Sequence, residues 1–112
     1  MSKISGVVFF IFLCSLVATA AFSAGNRGEE IFKSNGCIFC HKQKMTSGTI
    51  PSLFELAKAY KGKNEQLSRY FKGEADPIIK PERSVVMKRQ LRKTKALSDS
   101  ERAALVDFIL SH

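Results

Sequence analysis

Two cysteines and a histidine within five residues constrain the fold of this chain more than any other feature. Cys37 and Cys40 are separated by Ile38 and Phe39, and His41 follows directly. At the end of a helix, this spacing presents both sulfurs to one side and places an imidazole, a good iron ligand, next to them. The spacing matches covalent attachment of a porphyrin through two thioether bonds. It predicts one covalent haem c held by Cys37 and Cys40, with His41 as an axial iron ligand.

The same residues are also compatible with three other kinds of site: a zinc site, a thioredoxin-like redox site and a disulfide. A zinc site needs about four ligands, and beyond this segment the chain offers only His112 and Cys14. A thioredoxin-like site belongs to a βαβ pattern, and no strand pattern flanks this segment. The disulfide stays open as the main alternative to haem attachment.

The first 24 residues have the pattern of a secretory signal peptide. Lys3 precedes an almost continuously apolar run over residues 7–17, and small residues follow it. The run is shorter than the roughly 20 residues that span a bilayer, so we expect export to the periplasm and no permanent membrane span. Cleavage is predicted after Ala20 or Ala24, and Cys14 is then discarded with the leader. Residues 25–112 would form one small domain with a limited core of its own.

Apolar periodicity predicts an all-α domain. Helices are expected from Gly28 to about Ile38 and over residues 52–60, 64–72 and 98–110. The last of them begins with a capping box at residues 98–101. Pro81 suits the first turn of a further helix that would include Met87. The predicted haem would complete a core formed by Ile31, Phe32, Leu53, Leu56, Leu67, Phe71 and Leu91.

These residues resemble those of the small bacterial monohaem class I cytochromes c, which are exported electron carriers. The landmarks are Gly28 and Phe32 in the first helix, the segment from Cys37 to His41, residues 51–53, Met87 and the final helix over residues 104–110. The resemblance implies the class I cytochrome c fold, with four to five helices around one covalently bound haem. It also implies that the first and last helices cross nearly perpendicularly, with Gly28 and Phe32 facing Leu105 and Phe108.

The second axial iron ligand is assigned by elimination together with the resemblance. Of three methionines, Met1 leaves with the leader and Met45 lies too close to His41 to reach the opposite haem face readily. In the family, the thioether ligand lies in the region of Met87. Met87 is therefore predicted as the ligand, while a core methionine and, at high pH, a lysine ligand are the alternatives.

The resemblance also implies that the carbonyl of Pro51 accepts a hydrogen bond from His41 and orients its imidazole. Two departures from the family pattern stand out. Relatives usually have glycine directly before this proline, where this chain has Ile50, and many relatives use a tryptophan at a haem propionate, whereas this chain has none. The residues expected to replace the tryptophan are Tyr60, Tyr70 or Arg69.

With imidazole and thioether both bound, iron has no open position for oxygen or peroxide, and no acid–base pair is evident elsewhere. We therefore expect no enzyme but a one-electron carrier that cycles Fe(II) and Fe(III) haem between a respiratory donor complex and a terminal oxidase or reductase. Two alternatives stay open. One is a haem sensor or ligand-binding module with a labile sixth ligand, and the other is a dedicated cytochrome subunit of an oxidoreductase.

The strong positive charge of the chain, +8 at neutral pH, bears on its partners. Basic residues flank both predicted iron-ligand segments: Lys42, Lys44, Lys88, Arg89, Arg92, Lys93 and Lys95. They would steer a monomeric carrier toward acidic docking patches on redox proteins such as a quinol–cytochrome c reductase and a terminal oxidase. A solvated basic face is the alternative. Export and the lack of aromatic residues within these stretches disfavour a nucleic-acid partner.

Overall fold

The computed structural model describes residues 24–44 and 50–112. Its α-helices are α1 (Ala24–Ser34), α2 (Leu53–Ala59), α3 (Asn64–Phe71), α4 (Ser84–Lys95) and α5 (Asp99–Leu110). Two short 3₁₀ helices, Cys37–Phe39 and Pro81–Arg83, precede the segments that carry His41 and Met87. The described residues contain no strand, which confirms the predicted all-α class.

The predicted signal peptide lies almost wholly outside the described residues, as do Cys14 and Met45. Its cleavage after Ala20 or Ala24 stays a prediction. Among the residues that the structure describes, no helix combines the length and the apolar character needed to cross a membrane.

Helix α1 begins and ends earlier than its sequence pattern indicated. It starts at Ala24, so Glu29 and Glu30 lie in its second turn and not at its positive end. It ends at Ser34, because Gly36 takes a left-handed conformation with φ 78° that an α-helix does not continue through. The two cysteines therefore lie on and just after a separate 3₁₀ helix.

Capping boxes fix the start of α2 and of α5. The hydroxyl of Ser98 accepts a hydrogen bond from the backbone N–H of Glu101, whose carboxylate accepts one from the Ser98 N–H. This confirms the predicted start of α5. Ser52 and Glu55 form the same reciprocal pair at α2. Ser52 thus caps α2 and is not its first helical residue.

Helices α1 and α5 pack against each other along the centre of the domain. Gly28 lies against Ala104 and Phe108, and the rings of Phe32 and Phe108 have centroids 5.4 Å apart. Phe108 therefore faces both residues, as expected, and Ala104 is the residue closest to Gly28. The buried core comprises Ile31, Phe32, Leu53, Tyr60, Leu67, Tyr70, Phe71, Leu91, Leu105, Val106 and Ile109. It includes six of the seven predicted core residues, and the seventh, Leu56, is half-buried against it.

Candidate haem site

A cavity of about 510 Å³ opens between the helices, and each of the five contributes to its wall. A volume of this order is in the range of protein sites for cofactors and other small molecules. Its apolar lining comes mainly from Phe32, Leu56, Leu67, Phe71, Val85, Val86, Leu105 and Ile109. This apolar lining suits the packing of a flat apolar ring. The side chains of so short a chain do not fill the cavity themselves.

The turn after α1 brings Cys37, Cys40 and His41 to this cavity. The chain turns tightly at this point, because the backbone N–H groups of Cys40 and His41 both donate to the Cys37 carbonyl, at 3.2 and 2.9 Å. All three side chains line the cavity. No disulfide joins the two cysteines, and both sulfurs lie on one wall of the cavity.

The two thiols differ in their surroundings. Cys37 is half-buried, and burial raises the pKa of its thiol, while the nearby Lys93 ammonium acts in the opposite direction. Cys40 is exposed at the rim. The pair is thus accessible from outside at one sulfur and packed against the core at the other.

The imidazole of His41 is held by one strong hydrogen bond. Its Nδ1 lies 2.7 Å from the Pro51 carbonyl oxygen, which requires the proton on Nδ1 and leaves Nε2 as the unprotonated nitrogen. Burial lowers the pKa of His41, and the contact with Pro51 acts in the opposite direction. A neutral, oriented imidazole is the form that binds iron.

The loop that carries this carbonyl is closed by the backbone. The N–H groups of Leu53 and Phe54 at the start of α2 donate to the carbonyls of Lys42 and Gln43, at 2.8 and 3.2 Å. The segment after His41 therefore runs beside the start of α2. This arrangement keeps the Pro51 carbonyl in place although residues 45–49 lie outside the described part.

Met87 reaches the same cavity from the first turn of α4. It is half-buried and packs against the core cluster. The segment is a helix, as the proline at its start had indicated, and Pro81 itself begins the preceding 3₁₀ helix. Its side chain therefore lines the same cavity as His41.

A metal site of the zinc type is not formed by the described residues. No group of three or more histidine, cysteine, aspartate or glutamate side chains comes close enough to hold a metal ion in residues 24–44 and 50–112. His112 lies at the end of α5, where its Nδ1 is 2.9 Å from the Phe108 carbonyl oxygen. This placement disfavours the zinc interpretation of the cysteine pair.

Of the three residues expected near a propionate, two line the cavity. Tyr60 and Tyr70 are buried on its wall, and the Tyr60 hydroxyl accepts a hydrogen bond from the Ile78 N–H at 3.3 Å. Arg69 is exposed and donates instead to the Glu74 carbonyl at 3.2 Å. Both tyrosines are therefore available to a polar edge of a bound group, and Arg69 is not placed there.

Sequence reasoning missed one residue of this site, Thr94, and one residue that contacts its backbone, Arg102. Thr94 lines the cavity and is buried. Its position seven residues after Met87, with Leu91 between them, is a signal that places all three on one face of a helix. Arg102 is also buried, and no sequence pattern marks an arginine for burial.

Comparison with known proteins supports one family. No curated protein matches the chain. The family described as cytochrome c matches residues 25–112, which is the whole of the domain described above and most of the chain. With five helices around a cavity that presents two thiols and an oriented imidazole, the chain belongs to the cytochrome c family, whose members carry one covalent haem c and transfer electrons with it.

Proposed function

We propose that this protein is an exported one-electron carrier whose haem is attached through Cys37 and Cys40 and has His41 and Met87 as axial iron ligands. The observation that best supports this proposal is that these four residues, from two distant parts of the chain, line one apolar cavity. Bound haem supplies a one-electron exchange between ferrous and ferric iron.

Each of these residues has a distinct task in this proposal. The two thiols anchor the group on one wall, and the Pro51 carbonyl fixes the orientation of the His41 ring. Met87 would supply a second iron ligand and so would keep small ligands from binding. Because imidazole and thioether are both neutral and the cavity is apolar, these residues would disfavour the extra charge of ferric iron and raise the potential of a bound haem.

Partner recognition is proposed to use a basic surface, which we define as Lys42, Lys44, Lys88, Arg89, Arg92, Lys93 and Lys95. All seven side chains are exposed, and within the described residues none of them forms an ion pair. Lys93 lines the cavity and donates to the Asn35 carbonyl at 3.0 Å, so this surface extends to the rim of the cavity. It would attract acidic docking patches of a quinol-oxidising donor and of a terminal oxidase or reductase in the periplasm.

The proposed ligation is tested with Met87→Ala and, as a matched control, Met45→Ala. We expect the oxidised wild-type protein to show the weak long-wavelength band of an iron–sulfur(Met) bond, and the ferrous protein to bind little carbon monoxide at neutral pH. Met87→Ala should lose the band, bind carbon monoxide readily and have a lower midpoint potential, whereas Met45→Ala should behave as wild type.

The same measurements separate the alternatives. Ready carbon monoxide binding by the wild-type protein would favour the sensor or ligand-binding module and contradict the carrier. Purification only as part of a stable complex would favour a dedicated oxidoreductase subunit. Haem attachment itself is checked by mass: Cys37→Ala with Cys40→Ala should lack the added haem mass of the wild-type protein.

A further inference from the structure

Polar contacts hold helix α4 at its C-terminal end. Its buried residues are Leu91 and Thr94, both in the second half of the helix. For residues 85–90, by contrast, no side-chain hydrogen bond or ion pair is found in the described structure. Val85 and Val86 are 65% and 68% exposed. The end of α4 that carries Met87 is thus held by packing, and its direction is set from the other end.

Thr94 makes the first of these polar contacts. Its Oγ1 donates to the Phe71 carbonyl oxygen at the end of α3, 2.7 Å away, and also lies 3.1 Å from the Leu91 carbonyl oxygen. The side chain is 3% exposed and lines the haem cavity. A buried hydroxyl with a short contact between two helices fixes their relative position, since breaking it would leave a buried polar group without a partner.

Arg102 of α5 makes the second set of contacts. Its guanidinium donates to the carbonyl oxygens of Thr94, Lys95 and Leu97, at 3.3, 3.3 and 2.6 Å. It also donates to the Asp99 carboxylate at 2.9 Å. The last carbonyls of a helix lack partners within it and favour a cation. A buried arginine aimed at them therefore ties the end of α4 to the start of α5.

We infer that Thr94 and Arg102 are positioning residues for the sulfur of Met87, an inference that rests on the proposed role of Met87 as iron ligand. Met87, Leu91 and Thr94 share one face of α4, and Met87 lies about 10 Å along the axis from Thr94. A tilt of about 10° at Thr94 moves the Met87 backbone by about 2 Å. A ligand must be held within about 0.5 Å, so a contact two turns away decides whether the sulfur meets the iron.

The test compares Thr94→Val, which keeps the shape and removes the hydroxyl, with Thr94→Ser, which keeps the hydroxyl. Imidazole is titrated into the haem-loaded ferric proteins at a temperature at which all of them are folded. Because imidazole competes with the methionine sulfur, its apparent affinity reports how well Met87 is held. We expect Thr94→Val to bind imidazole at least about tenfold more tightly than wild type, equivalent to about 1.4 kcal/mol. Thr94→Ser should bind imidazole with an affinity close to that of wild type.

Arg102→Gln provides a second variant, with Arg27→Gln as its matched control. Arg27 also contacts α5, through its ion pair with Glu101 at 2.5 Å, but it belongs to α1 and not to the α4 contacts. Arg102→Gln should increase the imidazole affinity and speed amide hydrogen exchange in α4, whereas Arg27→Gln should change neither. If Arg102→Gln does not fold, the comparison of Thr94→Val with Thr94→Ser still tests the inference.

The outcomes are distinct. Thr94→Val with a lower melting temperature but the imidazole affinity of wild type would overturn the inference, because Thr94 would then act on stability alone. A wild-type protein that binds imidazole as tightly as Met87→Ala would overturn the proposed ligation and, with it, the positioning role. The remaining outcome supports both the ligation by Met87 and the positioning role of Thr94. In it, the wild-type protein binds imidazole weakly, Thr94→Val binds it more tightly, and Thr94→Ser binds it as weakly as wild type.

Discussion

Gly28 of α1 lies directly against Ala104 of α5, so that a methyl group at Gly28 would overlap the Ala104 carbonyl and come within 2.6 Å of Phe108 Cβ. Alanine is otherwise preferred to glycine in a helix by about 1 kcal/mol, so any loss on substitution measures this close approach. We expect Gly28→Ala to lower the free energy of unfolding by about 2 kcal/mol. Urea unfolding of the haem-loaded protein measures it.

Gly62→Ala is the control for this substitution. Gly62 has φ 74° and nothing within 4 Å of an added Cβ, so alanine there introduces backbone strain of about 1 kcal/mol and no overlap. Gly28→Ala should be the more destabilising of the two. An equal or smaller loss at Gly28 would mean that α1 and α5 separate at little cost.

The site could be anticipated from the sequence wherever its residues are neighbours in the chain. The segment from Cys37 to His41 carries its spacing in five consecutive residues, and the capping box at Ser98 and Glu101 is equally local. Such patterns act through backbone geometry over one turn, so they survive folding unchanged. The final helix accordingly begins within one residue of its predicted start.

Features that depend on distant residues could not be read in this way. The early end of α1 depends on the left-handed conformation of Gly36, one of several glycines near a helix end. The burial of Arg102 depends on carbonyls at the end of a different helix and in the turn that follows it. A charged residue is exposed on average, so its partners in space, and not its neighbours in the chain, decide its place.

Glu101 should make stability depend on pH in the acid range. Hydrogen bonds from the backbone and hydroxyl of Ser98, with a further contribution from Arg27, lower the pKa of its carboxyl below the ordinary value of 4.5. A lowered pKa in the folded state gives stability that is present above pH 4.5 and lost as the pH falls through the folded value. Denaturant midpoints of wild type and Glu101→Gln between about pH 3 and pH 7 should therefore converge at the acid end. Parallel profiles would contradict this.

Tyr70 should resist ionisation in the folded protein. Burial, with a smaller contribution from Tyr60, raises its pKa from 10.0 to about 12. Because the folded state favours the protonated phenol, the corresponding stability is present below pH 10 and lost as the pH rises through about 12. Tyrosinate absorbance should therefore appear well above pH 10 in the folded protein and near it after unfolding. Tyr60→Phe should lower the Tyr70 pKa slightly, and an unshifted Tyr70 titration would contradict its burial.

The basic surface should make electron transfer depend on salt and on the charge of the partner. Lys88 and Arg89 are exposed in the N-terminal half of α4. Because their positive charges attract anions, Lys88→Gln with Arg89→Gln should slow reaction with the anion ferricyanide at low ionic strength. Lys61→Gln with Lys63→Gln removes the same charge from the segment between α2 and α3, outside the residues that define the basic surface, and should slow it less. The difference between the two variants should vanish near 1 M salt, where charges are screened within about 3 Å. With a cationic oxidant, the first variant should react faster than wild type. Equal rates for both double variants at low salt would show that total charge, and not its place beside the haem cavity, controls the encounter.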